Sequence, residues 1–137
     1  MKNKEIFEKV LKLLSKKDYS EKEIIDKFPF IPQTVLNKLK KEKLIDDYSL
    51  SKKIIESLQR KGKGFFYILK ELERRKINSE IIENVKREYD MVGEIERCKK
   101  IFEKLKNKKN KQTLIMNLKS RGFPEEIIEE VIKFFSF

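Results

Sequence analysis

Residues 77–85 read INSEIIENV, and the same pattern of apolar residues returns at 31–39, IPQTVLNKL, and at 123–131, FPEEIIEEV. In each segment the apolar residues stand at positions i, i+4, i+5 and i+8, which places them on one face of an α-helix. The segments are evenly spaced, since 77 − 31 and 123 − 77 are both 46. A helical segment that recurs at a fixed spacing is typical of a repeat protein.

Helical periodicity extends over the rest of the chain. Apolar residues at 10, 11 and 14 return at 54, 55 and 58 and again at 101, 102 and 105. Nine helical segments result, and no segment shows the alternation typical of a strand. We therefore predict an all-α fold of three tandem three-helix repeats, residues 1–46, 47–92 and 93–137, which form an elongated, curved array.

Helix-start signals agree with this division. Ser20 and Glu23 have the spacing of a capping box, and Asn78 or its neighbour stands where the sixth helix begins. Asp46 or Asp47 is expected to cap the fourth helix. The alternative for this pair, a metal or acid–base site built from two carboxylates, is the less favoured interpretation, because their position at a helix start already explains them.

Composition excludes several classes of enzyme. The 137 residues contain no histidine and one cysteine, Cys98, so Ser-His-Asp triads, zinc ribbons and HExxH metalloproteases are excluded. No spacing of carboxylates, lysines or hydroxyls marks a nucleophile, a base or a metal site. We predict that the protein is not an enzyme, that it needs no cofactor or metal, and that Cys98 is a buried helix residue.

The chain is strongly basic, with 34 Lys and Arg residues against 23 Asp and Glu residues and a net charge of +11. The excess is concentrated between Arg97 and Arg121, where ten cations accompany one acid, Glu103. Such a run is either a solvated face or the electrostatic footprint of a nucleic acid or an acidic protein surface. The charged N-terminus and the lack of a long apolar run predict a cytoplasmic protein without a membrane span.

A glycine element at residues 60–64, RKGKG, lies between two predicted helices. It lacks the GxxxxGK[ST] spacing of a nucleotide-binding loop, so we interpret it as a flexible interhelical turn that lets two helices approach and whose basic residues contact a partner. The aromatic residues 65–67, FFY, follow it. We expect two of these three rings in the core and one half-exposed, while stacking on nucleic-acid bases is the alternative.

Three motifs resemble the RecX family, the regulators of the RecA recombinase. They are residues 44–51, LIDDYSLS, at the first repeat boundary, the basic glycine element at 60–64, and residues 118–123, LKSRGF. The resemblance spans essentially the whole chain. Lys76 departs from it, because the family usually has glycine before the residue at 77, and this predicts that the turn is built differently there.

The resemblance implies a function in recombination and DNA repair. RecX-like proteins bind in the groove of the RecA nucleoprotein filament and limit filament growth, ATP hydrolysis and strand exchange. We expect a monomer that binds RecA mainly through basic side chains, with non-specific contact to single- or double-stranded DNA left open. The expected partner-binding residues are Arg60, Lys61, Lys63, Arg74, Arg75 and Arg121. The residues expected to shape the turns and caps are Asp46, Asp47, Gly62, Gly64 and Gly122.

A winged-helix DNA-binding module in the first repeat is the alternative. Residues 20–45 read like a helix-turn-helix, with polar side chains on the second helix that could face a DNA groove. A wing, however, needs a strand hairpin after Ile45, and the sequence from Leu50 to Leu58 has helical periodicity instead. The sequence therefore favours the repeat protein.

Overall fold

The computed structural model describes residues 2–135. Within that range the chain is all-helical and contains no strand, which confirms the predicted fold class. The helices are α1 (Asn3–Leu14), α2 (Glu21–Lys27), α3 (Gln33–Lys41), α4 (Asp47–Arg60), α5 (Phe65–Arg74), α6 (Ser79–Glu88), α7 (Met91–Leu105), α8 (Lys111–Ser120) and α9 (Glu125–Phe134).

The buried apolar residues form three separate cores, each drawn from three consecutive helices. We call α1–α3, α4–α6 and α7–α9 the first, second and third helix triplets. Representative core residues are Val10 and Leu39 in the first, Ile68 and Leu72 in the second, and Phe102 in the third. α4 begins at Asp47, where the second predicted repeat begins, whereas α7 begins at Met91, two residues before the predicted third repeat.

The helix starts follow the predicted signals. Ser20 and Glu23 form the capping box: the Ser20 hydroxyl accepts from the Glu23 amide at 3.2 Å, and the Glu23 carboxylate accepts from the Ser20 amide at 2.9 Å. Asp46 caps α4 by accepting from the Ser49 amide at 3.1 Å, and Asn78 caps α6. The first amides of these helices thus have side-chain partners in place of water.

The turn at Lys76 is not built differently, so that prediction is wrong. Lys76 has a φ of +56°, and the amides of Lys76 and Ile77 bond to the carbonyls of Glu73 and Leu72. The turn at Gly122, with a φ of +95°, has the same pattern of hydrogen bonds. A left-handed residue with a side chain costs about 1 kcal/mol relative to glycine, an amount that a well-packed helix pair tolerates.

None of the helices within residues 2–135 combines the length and the apolar character needed to cross a lipid bilayer.

Candidate functional site

A cleft lined by basic side chains lies between the second and third triplets, and we call it the basic cleft. Its volume is about 660 Å³. The end of α4 and the turn after it form one wall, α7 forms the other, and Arg121 lies at the turn between α8 and α9. Its six cations are Arg60, Lys61, Arg97, Lys100, Lys104 and Arg121, and Glu56 is the one carboxylate that lines it.

Two glycine turns hold the walls of the cleft together. The Gly64 amide donates to the Arg121 carbonyl at 2.7 Å, and the Phe66 amide donates to the Gly122 carbonyl at 3.0 Å. A Cβ atom on Gly64 would lie 2.6 Å from the backbone nitrogen of Phe123, which is well inside van der Waals contact distance. Glycine is therefore required where the two turns pair backbone to backbone. The Arg121 guanidinium adds a bond to the Gly62 carbonyl at 3.5 Å.

A buried carboxylate on α7, Glu94, fixes the same junction from the inside. It accepts from the Phe65 amide at 2.5 Å, from the Tyr89 hydroxyl at 2.8 Å and from the Arg97 guanidinium at 3.4 Å. Phe65 is the first residue of α5, and the preceding Gly64 has no side chain to cap it. Glu94 thus caps a helix of the neighbouring triplet.

The buried environment changes the titration of the groups around Glu94. Burial raises the pKa of the Cys98 thiol to about 12, and the negative charge of Glu94 acts in the same direction. Burial also raises the pKa of the Tyr89 hydroxyl to about 12; the hydrogen bond with Gln59 opposes the shift, and Glu94 adds to it. Both groups are therefore protonated at neutral pH, and Cys98 is a buried, unreactive thiol.

At the junction between the first and second triplets, a carboxylate again caps a helix of the neighbouring triplet, but this carboxylate, Asp47, is more exposed than Glu94. Asp47, which lies 47 residues before Glu94 (94 − 47), accepts from the Glu21 amide at 3.0 Å, and Glu21 is the first residue of α2. The other oxygen of Asp47 accepts from the Asn78 amide at 2.9 Å. Asp46 and Asp47 therefore serve three helix starts between them.

Arg75 belongs to this first junction and lies outside the basic cleft. Its guanidinium makes two bonds to the Glu23 carboxylate, at 3.0 and 3.2 Å, and one to the Asp18 carbonyl at 2.8 Å. The side chains of Arg75 and Glu23 are only 15% and 17% exposed. Burial by itself would raise the pKa of Glu23, but the hydrogen bonds from Arg75 and from the Ser20 amide outweigh it and hold that pKa below its usual value.

The six expected partner-binding residues therefore fall into two sets. Arg60, Lys61 and Arg121 come together in the basic cleft. Lys63, Arg74 and Arg75 do not: Lys63 lies over the Tyr67 ring at 4.6 Å, and the exposed Arg74 pairs with Glu71 on its own helix at 2.6 Å.

Three cations of the cleft, Arg97, Lys100 and Lys104, were not singled out from the sequence, although they lie in the basic run. Their spacing of i, i+3 and i+7 carries the signal, because it places them on one face of α7. The basic run also contains cations that do not line the cleft, and these obscure the spacing. Lys99 and Lys106, for example, pair with Glu96 and Glu103.

The expectation that two of the three rings at 65–67 are in the core is wrong. Phe65 is buried, whereas Phe66 is 51% and Tyr67 is 40% exposed. Consecutive residues of a helix point about 100° apart, so one of the three, Phe65, lies on the narrow buried face of α5 together with Ile68 and Leu72. Two aromatic rings are consequently available at the surface next to the paired glycine turns.

Among the described residues, no group of three or more Cys, Asp or Glu side chains is arranged to hold a metal ion. The Asp46–Asp47 pair is occupied with the helix-start amides described above.

Comparison with known proteins finds similarity in sequence and in fold. No family model matches the chain. The regulatory protein RecX of Geobacillus sp. (strain WCH70) is 30% identical over an alignment of 143 positions, which covers 94% of this chain and 53% of that protein. The chain therefore spans about half the length of this curated relative.

Solved structures show the same fold. The crystal structure of RecX from Lactobacillus salivarius superposes with a TM-score of 0.83 at 22% identity, over 98% of this chain and 96% of that one. A second crystal structure of a regulatory protein RecX superposes with a TM-score of 0.72 at 21% identity, over 96% of this chain and 71% of that one.

Proposed function

The chain is a relative of the RecX regulatory proteins, as its motifs predict, and from this premise we propose that it binds the nucleoprotein filament of a RecA recombinase and limits filament growth, ATP hydrolysis and strand exchange. The observation that carries the proposal is the sequence likeness to a regulatory protein RecX along 94% of this chain. The protein would act by binding as a monomer, without catalysis and without a cofactor.

The arrangement of the helix triplets supports a binding function. Each triplet has a small core of its own, as expected of a repeat protein, and the extended surface of a repeat protein suits contact with more than one subunit of a filament. We propose that the contact residues are those of the basic cleft, Arg60, Lys61 and Arg121. The half-buried Lys63 and the exposed Arg74, which lie outside the cleft, make further contacts in this proposal. We expect Arg75 to contribute less to RecA binding, because its guanidinium is already paired with Glu23.

The test is the ATPase rate of RecA from the same organism on single-stranded DNA, titrated with this protein below one copy per RecA, at low and at near-physiological salt. We expect inhibition at substoichiometric dose that persists at the higher salt, because specific protein contacts are screened less than phosphate contacts are. Inhibition that disappears with salt, or that begins only when the protein saturates the DNA, would contradict the proposal.

A matched pair of variants locates the contact. Arg60→Glu with Lys61→Glu reverses two charges in the cleft, whereas Lys108→Glu with Lys109→Glu reverses two exposed charges in the turn after α7. We expect the first pair to weaken inhibition about tenfold and the second to change it less than twofold. Native circular-dichroism spectra of both variants are the control.

The alternative function is that of a basic helical DNA-binding protein. The winged-helix version lacks its wing in the described part of the chain, since Ile45 is followed by helix α4. Non-specific contact with DNA is favoured by one observation, the concentration of cations in the basic cleft.

A further inference from the structure

Most of the cations in the basic cleft have no carboxylate partner. Arg60, Lys61, Lys100 and Lys104 form no ion pair within residues 2–135. Like charges that share a cleft repel one another, so their convergence is unfavourable unless an anion enters. The cleft therefore has the electrostatics of an anion-binding site.

Arg97 adds an independent observation on the same wall. Its Nη2 atom is held by the Glu94 carboxylate at 3.4 Å and lies 3.5 Å from the Tyr89 hydroxyl. Its Nε atom is buried and has no hydrogen-bond partner among the described residues. A buried N–H donor without an acceptor is unfavourable, so the Arg97 guanidinium keeps unused hydrogen-bonding capacity on the wall of the cleft.

The length of the cationic row indicates an extended anion. Arg97, Lys100 and Lys104 span seven residues of α7, or about 10 Å at 1.5 Å per residue. This is more than one phosphate or carboxylate group can reach, so the row suits a ligand that carries several negative charges in succession. Arg60 and Lys61 face it from the opposite wall.

The nearby aromatic rings favour a nucleic acid over an acidic peptide. Phe66 and Tyr67 are exposed, although neither lines the cleft and Lys63 lies over the Tyr67 ring. The Phe66 amide donates to the carbonyl of Gly122, which follows the cleft residue Arg121, so the two rings lie close to one end of the cleft. Exposed rings beside a cationic groove are the arrangement that single-stranded nucleic acids use, because bases stack on the rings while phosphates follow the cations.

We propose that the basic cleft binds the sugar–phosphate backbone of a single-stranded nucleic acid, and that the bound strand clamps the second helix triplet to the third. The clamp follows from the origin of the cations, since Arg60 and Lys61 come from the second triplet and Lys100 and Lys104 from the third. This inference goes beyond the regulation of RecA, because strand binding needs no RecA, and it assigns a defined place to the DNA contact that the sequence left open.

The test is fluorescence anisotropy of a labelled 20-nucleotide dT strand, without RecA, as a function of salt. The cleft variant is Lys100→Ala with Lys104→Ala, and the control is Lys108→Ala with Lys109→Ala. All four lysines are exposed and the two variants have the same net charge. We expect the cleft variant to bind about tenfold more weakly at low salt and to lower the slope of log K against log salt by about 1.4, with little change in the control.

Equal losses of affinity in the two variants would overturn the proposal, because they would mean that net charge alone attracts the strand. Since the assay contains no RecA, its failure is separate from a failure of the proposed regulation.

Thermal unfolding supplies a second readout and distinguishes the ligands. The dT strand should raise the Tm of the wild type and of the control but not of the cleft variant. Tripolyphosphate and poly-glutamate are compared at equal charge concentration. A cleft-dependent rise that either competitor matches would overturn the assignment to a nucleic-acid strand, with tripolyphosphate indicating a free oligophosphate ligand and poly-glutamate an acidic protein segment.

Discussion

Glu94 shows how a single side chain can serve two helix triplets. Its carboxylate is fully buried and accepts hydrogen bonds from an amide of α5, from Tyr89 and from Arg97. A buried charge is tolerated only when such donors surround it. Glu94 therefore stabilises the junction between the second and third triplets because all three of its donors are in place. We expect the stability of this junction to depend on the negative charge of Glu94.

We predict that Glu94→Gln lowers the free energy of unfolding by about 2 kcal/mol, because the amide keeps the size of the side chain but loses the charge and faces donors with its own N–H group. Urea unfolding measures the change. Glu96→Gln on the same helix is the control, since Glu96 is 61% exposed and pairs with Lys99 on its own helix. We expect a change within about 0.5 kcal/mol there. Similar losses of unfolding free energy in both variants would mean that the buried hydrogen bonds of Glu94 stabilise the protein no more than an exposed ion pair does.

At the scale of the elements, the two junctions between triplets differ in their chemistry. The second is built from backbone hydrogen bonds between glycine turns and from a buried carboxylate. The first relies on charged side chains: Arg75 with Glu23, Lys53 with Asp18, and Lys76 with Asp26. Of these, the Arg75–Glu23 pair is the one that is shielded from solvent, so it should carry most of the energy.

Adjacent arginines provide a test of this difference. We predict that Arg75→Gln lowers the free energy of unfolding by about 1.5 kcal/mol, because it removes a largely buried pair with two hydrogen bonds. Arg74→Gln should leave the free energy of unfolding nearly unchanged, because Arg74 is exposed to solvent. Both substitutions remove one positive charge, so net charge is controlled. Equal effects in chemical denaturation would refute the assignment of Arg75 to the junction.

The same pair has a consequence for acid stability. The pKa of Glu23 is lowered in the folded protein, so its contribution is fully present above the unfolded pKa and is lost as pH falls through the folded pKa. The difference in stability between the wild type and Arg75→Gln should accordingly shrink below about pH 4.5.

For the whole molecule, the two kinds of junction predict unequal responses to salt. Salt screens exposed charges but has little effect on backbone hydrogen bonds or on a buried carboxylate. High salt should therefore weaken the first junction more than the second, because two of the ion pairs of the first junction, Lys53–Asp18 and Lys76–Asp26, are exposed.

Hydrogen exchange at fixed pH can measure this difference. On raising NaCl from about 0.05 M to about 1 M, we expect faster exchange at the Glu21 amide, which is bonded to Asp47, and little change at the Phe65 amide, which is bonded to the buried Glu94. Equal acceleration at both amides would show that the junctions have the same character.

Much of this architecture could be predicted from the sequence, because helical periodicity and capping residues act locally. The apolar residues at 77, 81, 82 and 85 and their counterparts 46 residues away specify helices that need partners, and Ser20, Asp46 and Asn78 mark where helices begin. These features depend on residues within one or two turns of one another, so no tertiary contact is needed to recognise them.

The site was decided by tertiary structure. The sequence identified Arg60, Lys61 and Arg121 as basic residues at turns, but only the pairing of two turns 58 residues apart (122 − 64) brings them to the face of α7 that carries Lys100. It could not separate Arg74 from Arg75, which are neighbours in the chain and point to different environments. Nor could it show that Glu94 is buried. The physical reason is that the direction and burial of a charged side chain depend on which distant backbone lies beside it, and that is settled only when the triplets pack.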